Sequence, residues 1–518
     1  MEQKNCRMKS PQAVAVFSAF VLGLLIHGFG LVNVLHNYDD IWQQPMGYGT
    51  GLSSGRWLLT IAGDFLMRQG FGFNLPLLNG VLFLLMVALC AGLIVEMLKI
   101  ENRTSAALFG VFFAVFPAVT SALFFRYTAI YYGFSMLLAV LAAWVLQKNK
   151  WGLVLSAVFT AMSCGIYQAY VPITVTLLVL MLLRQSMEGE VEAKKLFSRG
   201  LYYCVALLFG ILLYYLALKV SLVLYNTSLS NYKGIDNMGK ISLGALPSLL
   251  KRTLGSLCKM PIYDYCGLAN IPLLKIAYIL LVLVMGGVII YLMFTRVNKP
   301  GLRLLTVLLC LVLPFALNFV VIMCPDTEIY TLMVSSISLV PCVGLMAVEL
   351  LPENKKALLI QKCLMGILAV MIFAYGYYAN VNYTSMYFSN RQVENYMNTL
   401  VTQVRMSDGF TPDKRWALLG DISDPLMEES LYDGWRNGVT YGGNRFSDDL
   451  LNQYSRMNWM THYLGYKIPL ASEEEKQNLW TSEKVKAMPC WPSQGSIQVI
   501  DDTVVVKFQD LEHMEHPY

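Results

Sequence analysis

The chain has 518 residues, of which 56% are hydrophobic and only 14% charged, with a formal net charge of +5. Soluble globular chains carry about 25% charged residues, so this composition excludes an ordinary soluble enzyme. The excess cations fall in short loops between apolar blocks, which removes any need for a nucleic-acid partner.

The apolar blocks read as membrane spans at about 12–36, 73–98, 103–121, 126–147, 151–164, 166–183, 200–225, 272–295, 303–323, 330–350 and 359–383. The first is too long for a signal-peptide core and lacks a cleavage pattern, so it is expected to be retained. The fifth and sixth are short and suit thin helices around a cavity or a re-entrant pair. The loops that are inner when the N-terminus is inside hold Lys4, Arg7 and Lys9, then Lys194, Lys195 and Arg199. The alternate loops are longer and hold fewer cations. The positive-inside rule therefore predicts an N-in protein with about eleven transmembrane helices and an outer C-terminal tail.

Three outer elements follow in chain order. In 37–72, Ser53 and Ser54 are placed to cap a helix starting near Gly55. Trp57, Leu58, Ile61, Ala62, Phe65 and Leu66 share one face of it, so it is expected to lie in the membrane interface and hold the Asp39–Asp40 loop. The loop 226–271 contains an amphipathic stretch, Pro247–Met260, and two cysteines, Cys258 and Cys266, that would pair if the loop is outside. The tail, 384–518, is polar and aromatic. Trp416–Gly420 reads as a buried strand and 496–508 as a hairpin turning at Asp501-Asp502. The expected organisation is a transmembrane domain over 1–383 and a small extracytoplasmic α/β domain over 384–518.

The chain has no Walker loop and no dinucleotide fingerprint. An enzyme acting outside the cytoplasm finds no nucleotide pool, so its substrate must arrive already activated. A sugar joined to a lipid phosphate meets that need. Its transfer requires a carboxylate to take the acceptor's proton and cations to meet the released phosphate. Asp39 and Asp40, just past the first span, suit the first role. Arg56, Arg126 and Arg252 are candidates for the second. Tyr127 adjoins Arg126, and Tyr167-Gln168 lie in the short sixth span, either as interhelical hydrogen-bond partners or as substrate contacts. Trp416, Trp435, Tyr441 and Trp491 are placed to stack on acceptor sugars or to fill a core. Asp326 and Glu328 suit a solvated turn, and His27 a hydrogen bond to a neighbouring helix.

The stretch 37–59, NYDDIWQQPMGYGTGLSSGRWLL, resembles the first outer loop of the Gtr-type (type II) bactoprenol-linked glucosyltransferases. The segments 126-RYTAIYY-132, 164-CGIYQAYVP-172 and 488-MPCWPSQGSIQVIDDTVVVKF-508 fit the same family, and the ordered set spans nearly the whole chain. The resemblance implies a GT-C-like, all-α polytopic fold in the bacterial cytoplasmic (inner) membrane with its site outside. It implies Asp39 or Asp40 as the base, glucose on undecaprenyl phosphate as donor, and an O-antigen-like surface polysaccharide as acceptor. It further implies partnership with a small flippase and a synthase of the lipid-linked glucose. No His cluster argues for a metal, so a divalent ion is left open. A lipid-linked sugar transporter or flippase, a polysaccharide polymerase or ligase, and a non-catalytic assembly factor are the competing readings.

Overall fold

A computed structural model of the chain describes residues 10–148, 150–230, 244, 246–258, 266–324, 329–422, 438–442 and 455–510. The chain divides into two compact units. The first comprises Met1–Asn33, Met46–Asn380 and Asn437–Gly442, and the second Val34–Pro45, Val381–Arg436 and Gly443–Tyr518. The helices in chain order are α1 (Pro11–Val32), α2 (Tyr38–Trp42), α3 (Trp57–Arg68), α4 (Pro76–Met97), α5 (Arg103–Val115), α6 (Pro117–Phe124), α7 (Arg126–Lys148) and α8 (Gly152–Ile166). They continue with α9 (Val171–Glu188), α10 (Ala193–Leu224), α11 (Leu246–Cys258), α12 (Pro272–Thr295), α13 (Pro300–Leu317), α14 (Phe319–Met323), α15 (Val340–Val348) and α16 (Lys355–Met406).

Among the described residues nine helices are long and apolar enough to cross a membrane. The other two of the eleven expected segments are shorter apolar helices, Gly152–Ile166 and Ser335–Val348. In the first unit α1 lies between α4 and α5, α7 packs on α4, α8 and α9, and α10 packs on α8. The segments Arg103–Phe124 and Gln168–Glu188 are almost wholly buried. Helices α1, α10, α12 and α13 instead expose apolar side chains such as Leu25, Phe209, Leu283 and Leu311. Surface of that kind needs hydrocarbon as its solvent. His27 is buried with Nε2 3.0 Å from the Ala114 carbonyl oxygen, the interhelical bond expected of it.

Three apolar helical segments are interrupted. Pro117 lacks an N–H and pushes Phe116 to ψ 139°, which separates α5 from α6. Tyr167 is extended, at φ −154° and ψ 107°, between α8 and α9. Asn318 separates α13 from α14. Broken backbone among apolar helices is tolerated where protein covers it or where it lines a cavity, and the second break carries two of the candidate residues.

The second unit is built on a three-stranded sheet in the order β1-β3-β2, with β1 Arg415–Leu419, β2 Ile497–Ile500 and β3 Thr503–Lys507. The hairpin turns at Asp501-Asp502, both at positive φ, as the sequence predicts. β1 joins β3 in parallel. The two-residue period sorts the strands' side chains onto two faces. Trp416, Leu418, Val504 and Val506 pack with Val393, Met397, Leu400, Trp459 and Trp491 from one side. Ala417, Leu419 and Val505 pack with Trp480, Val485 and Ile500 from the other. Trp416 and Trp491 are therefore core residues of this unit, and Tyr441 is fully buried in the first unit. None of the three presents a face for stacking on a glycan. Trp435, Asp326 and Glu328 lie outside the described residues. Cys266 is buried, and the side chain of Cys258 lies outside the described residues.

Arg456 ties this core together. It is buried, donates to the carbonyl oxygens of Gly420 and, at 3.0 Å, of Leu418, and lies over the Phe508 ring. Burial pulls its pKa down to about 10, which leaves it charged at neutral pH. Arg456→Met keeps the packing volume and strands two carbonyls, so it is expected to cost about 2–4 kcal/mol. Thermal unfolding of the solubilised full chain reads this directly, and an unchanged midpoint would contradict it.

Candidate active site

Arg56 ends the turn Leu52–Ser54 and stands at the N-cap of α3. The expected serine caps are absent. Gly55 takes φ +76°, which closes the turn, and the helix starts at Trp57 without a side-chain cap. The Arg56 guanidinium lies over the Tyr167 ring at 5.0 Å from its centroid. Tyr132 stacks on the far part of the same cluster, its ring 4.4 Å from Tyr167, and Tyr170 closes edge-on at 5.2 Å from Tyr167. The hydrogen bonds of Arg56 are long: Nη1 to the Thr50 carbonyl at 3.4 Å and to the Tyr132 hydroxyl at 3.5 Å. Its Nε is buried without a partner, and no carboxylate pairs with it among the described residues. Burial opposes the charge, but the phenol oxygens of Tyr132, Tyr167 and Tyr127 more than offset it, so the pKa stands above the ordinary value.

The break at Tyr167 positions the second candidate. Gln168 Nε2 donates to the Ser54 carbonyl at 2.9 Å and lies 3.3 Å from the Tyr214 hydroxyl, which in turn donates to the Gly55 carbonyl at 3.1 Å. The turn before Arg56 is thus fixed by two side chains from α10 and the α8–α9 break. It is also clamped by sterics. A Cβ on Gly63 would fall 2.2 Å from the Tyr48 ring, and one on Gly51 2.2 Å from Thr60 Oγ1. Tyr48 donates to Asp64 Oδ1 at 2.8 Å. Burial first, and then that bond, raises the Tyr48 phenol above its ordinary range. Gly165, two residues before the break at Tyr167, leaves room for Trp57, because a Cβ there would meet the indole at 2.6 Å. Gly165→Ala is expected to push Trp57 and the adjoining Arg56 out of place. An ångström-scale shift of this kind is worth about tenfold or more in transfer. An assay of the activity that the sequence resemblance implies, with circular dichroism as the control, measures it. Full activity would show that this contact does not set Arg56.

Asp39 and Asp40 sit in α2, in the second unit. Helix α3, which the sequence predicts to lie in the membrane interface and hold them, belongs to the first unit; within the second unit their turn has its own packing. Ile41 joins the apolar core with Val393 and Trp459. His36 exchanges two bonds with Asn390, N–H to Oδ1 at 2.6 Å and Nδ2–H to the His36 carbonyl at 3.1 Å. The His36 ring meets Trp459 and Tyr463 edge-on. The two carboxylates differ. Asp40 is buried and its Oδ2 accepts from the Asn37 N–H at 3.3 Å, a carboxylate at the start of its own helix. Asp39 is partly exposed.

The remaining candidates have other settings. Arg126 is buried and donates to the last carbonyls of α1, Nη2 to Gly30 at 2.5 Å and Nη1 to Asn33 at 2.7 Å, a cation at a helix C-terminus. Tyr127 is buried against Gly49 and adds to the field at Arg56. Arg252 is exposed on α11, whose buried side carries Leu249 and Thr253. So Arg56, Tyr127, Tyr167 and Gln168 converge, while Arg126 and Arg252 have settings of their own. The reading of the sequence missed Tyr132, Tyr170, Tyr214 and Trp57 as members of the cluster. Tyr132 and Tyr170 sit inside the quoted tyrosine-rich segments, which was the available signal. Tyr214 lies in an apolar span with no local mark.

Among the described residues no group of three His, Cys, Asp or Glu is placed to hold a metal ion. No curated protein and no solved structure matches the chain. The family model described as Glucosyl transferase GtrII matches residues 28–341, more than half of the chain and a stretch that takes in every candidate residue from Asp39 to Arg252. The chain belongs to the glucosyl transferase GtrII family.

Proposed function

We propose that this glucosyltransferase takes glucose from a polyprenyl phosphate outside the cytoplasm and delivers it to a hydroxyl of an O-antigen-like surface polysaccharide. The carrying observation is Arg56, a cation with long hydrogen bonds, a buried Nε and no carboxylate partner among the described residues. A charge held partly out of water with no counter-ion is costly, and an anionic substrate would supply the missing partner. A guanidinium suits the leaving phosphate because its planar donors fork onto two oxygens. The acceptor oxygen attacks the anomeric carbon opposite the phosphate. The carbon–phosphate-oxygen bond breaks, its electron pair stays on the phosphate, and the acceptor's proton passes to a carboxylate of the Asp39-Asp40 pair. One displacement inverts the anomeric configuration. Asp39 is the better exposed of the two and is assigned the proton transfer; Asp40 holds the turn. Tyr127, Tyr167 and Gln168 line the cation, with Arg126 and Arg252 as further candidate contacts for the donor.

The chain would sit N-in in the bacterial inner membrane, supplied by a synthase and a flippase for the lipid-linked glucose. The interrupted helices also suit a lipid-linked sugar transporter. Purified protein given polyprenyl-phosphate glucose and a soluble acceptor glycan in detergent separates the readings. Release of polyprenyl phosphate with a single added hexose supports transfer, chain extension supports a polymerase, and no turnover leaves transport.

A further inference from the structure

A cavity of about 400 Å³ opens between α12 and the first turns of α16, within the first unit. Helices α12, α15 and α16 close together at Gly344, where an added Cβ would meet Met285 at 2.9 Å and Leu364 at 3.2 Å. Towards the start of α16 they part. The floor of the gap is apolar, from Leu283, Val284, Val288 and Ile360, and its mouth carries Tyr291, Asn354 and Lys356. Gly287 lines it and leaves open space where a side chain would stand. The volume is in the range of ordinary ligand sites.

The one charged side chain that lines the cavity is a cation, Lys356. Asn354 Oδ1 accepts from the Ala357 N–H at 2.9 Å, which caps α16 and leaves its amide nitrogen as a donor. Lys355 and Lys356 then occupy the first turn, with no acidic residue in that turn. Cations at a helix N-terminus oppose the macrodipole. Neither lysine makes an ion pair among the described residues. A bound anion would satisfy both the lysines and the helix end. Both helices meet the length and hydropathy of a membrane span, so the anion arrives carrying a hydrocarbon tail.

We infer that this groove is a phospholipid site, with one acyl chain in the cavity and an anionic headgroup phosphate at Lys356 and Asn354. It is distinct from the Arg56 cluster. Gly189, at the end of α9, abuts Arg296, just past α12, whereas Arg56 meets residues at the start of α9. The eighteen residues of α9 set the two ends about 27 Å apart.

Native mass spectrometry of the delipidated full chain, titrated with phosphatidylglycerol and with phosphatidylcholine of the same chain length, tests this. One phosphatidylglycerol is expected to be retained several-fold more strongly than phosphatidylcholine. Gly287→Leu fills the cavity and should abolish retention. Gly286→Leu should keep it, because Gly286 has equal room but does not line the cavity. Lys356→Glu should remove the preference while leaving phosphatidylcholine binding. Equal retention of the two lipids by the parent chain, or equal behaviour of the two glycine variants, overturns the inference. So does displacement of the lipid by millimolar inorganic phosphate, which would make the ligand a free anion.

Discussion

Arg56→Ala is expected to lower glucosyl transfer by about a hundredfold or more, the usual scale for removing a group that stabilises developing charge. The same change should leave the fold intact, because the guanidinium's own hydrogen bonds are long and its removal strands no carboxylate. Arg56→Lys separates charge from shape. Lysine keeps the positive charge but loses the planar stack on Tyr167 and the forked donors, so partial recovery is expected. Initial rates in membranes with polyprenyl-phosphate glucose give the answer. Wild-type rates in Arg56→Ala would remove the phosphate-binding role and leave Arg56 as a helix-end residue stacked on tyrosines.

Asp39→Asn is expected to cut the rate by about a hundredfold to ten-thousandfold, the range for loss of a general base. Asp40→Asn should act differently. It keeps an oxygen for the Asn37 N–H bond but loses the charge at the start of α2, so its expected effect is a smaller loss of rate together with lower stability of the second unit. Measuring transfer and protease resistance on both single variants distinguishes the roles. Strong loss in Asp40→Asn with a normal Asp39→Asn would exchange the assignments. Full activity in both and in the double variant would end the carboxylate mechanism.

The parts of the fold that depend on local periodicity were legible in the sequence. The apolar runs became helices because a bilayer demands internally bonded backbone over a fixed length. IQVIDDTVVVK became a hairpin because two adjacent aspartates accept positive φ. Segment ends set by tertiary contact were not legible. Ser53 and Ser54 look like helix caps, yet Gln168 and Tyr214 reach in from distant segments and hold that turn, so the helix begins later. The aromatic residues of the tail leave sugar stacking and core filling open in the sequence, although Trp416 already reads as part of a buried strand; strand register and sheet order, which a single sequence does not carry, settle Trp416 and Trp491 in the core. At the candidate site the residue types were visible and the stacking was not. Nothing local to Arg56 announces that Tyr132, from α7, and Tyr167, from the α8–α9 break, will close on it.

The turn bearing the two aspartates is fastened by Asn390, which lies 354 residues further along the chain than His36. Ribosomes add about 5–20 residues per second, so this turn is made on the order of tens of seconds before its fastening exists. A nascent chain can therefore thread its first spans into the bilayer while the Asp39-Asp40 turn is still unfastened. On the proposed mechanism, transfer begins only near the end of synthesis, and a product truncated before the tail is expected to be inserted but silent.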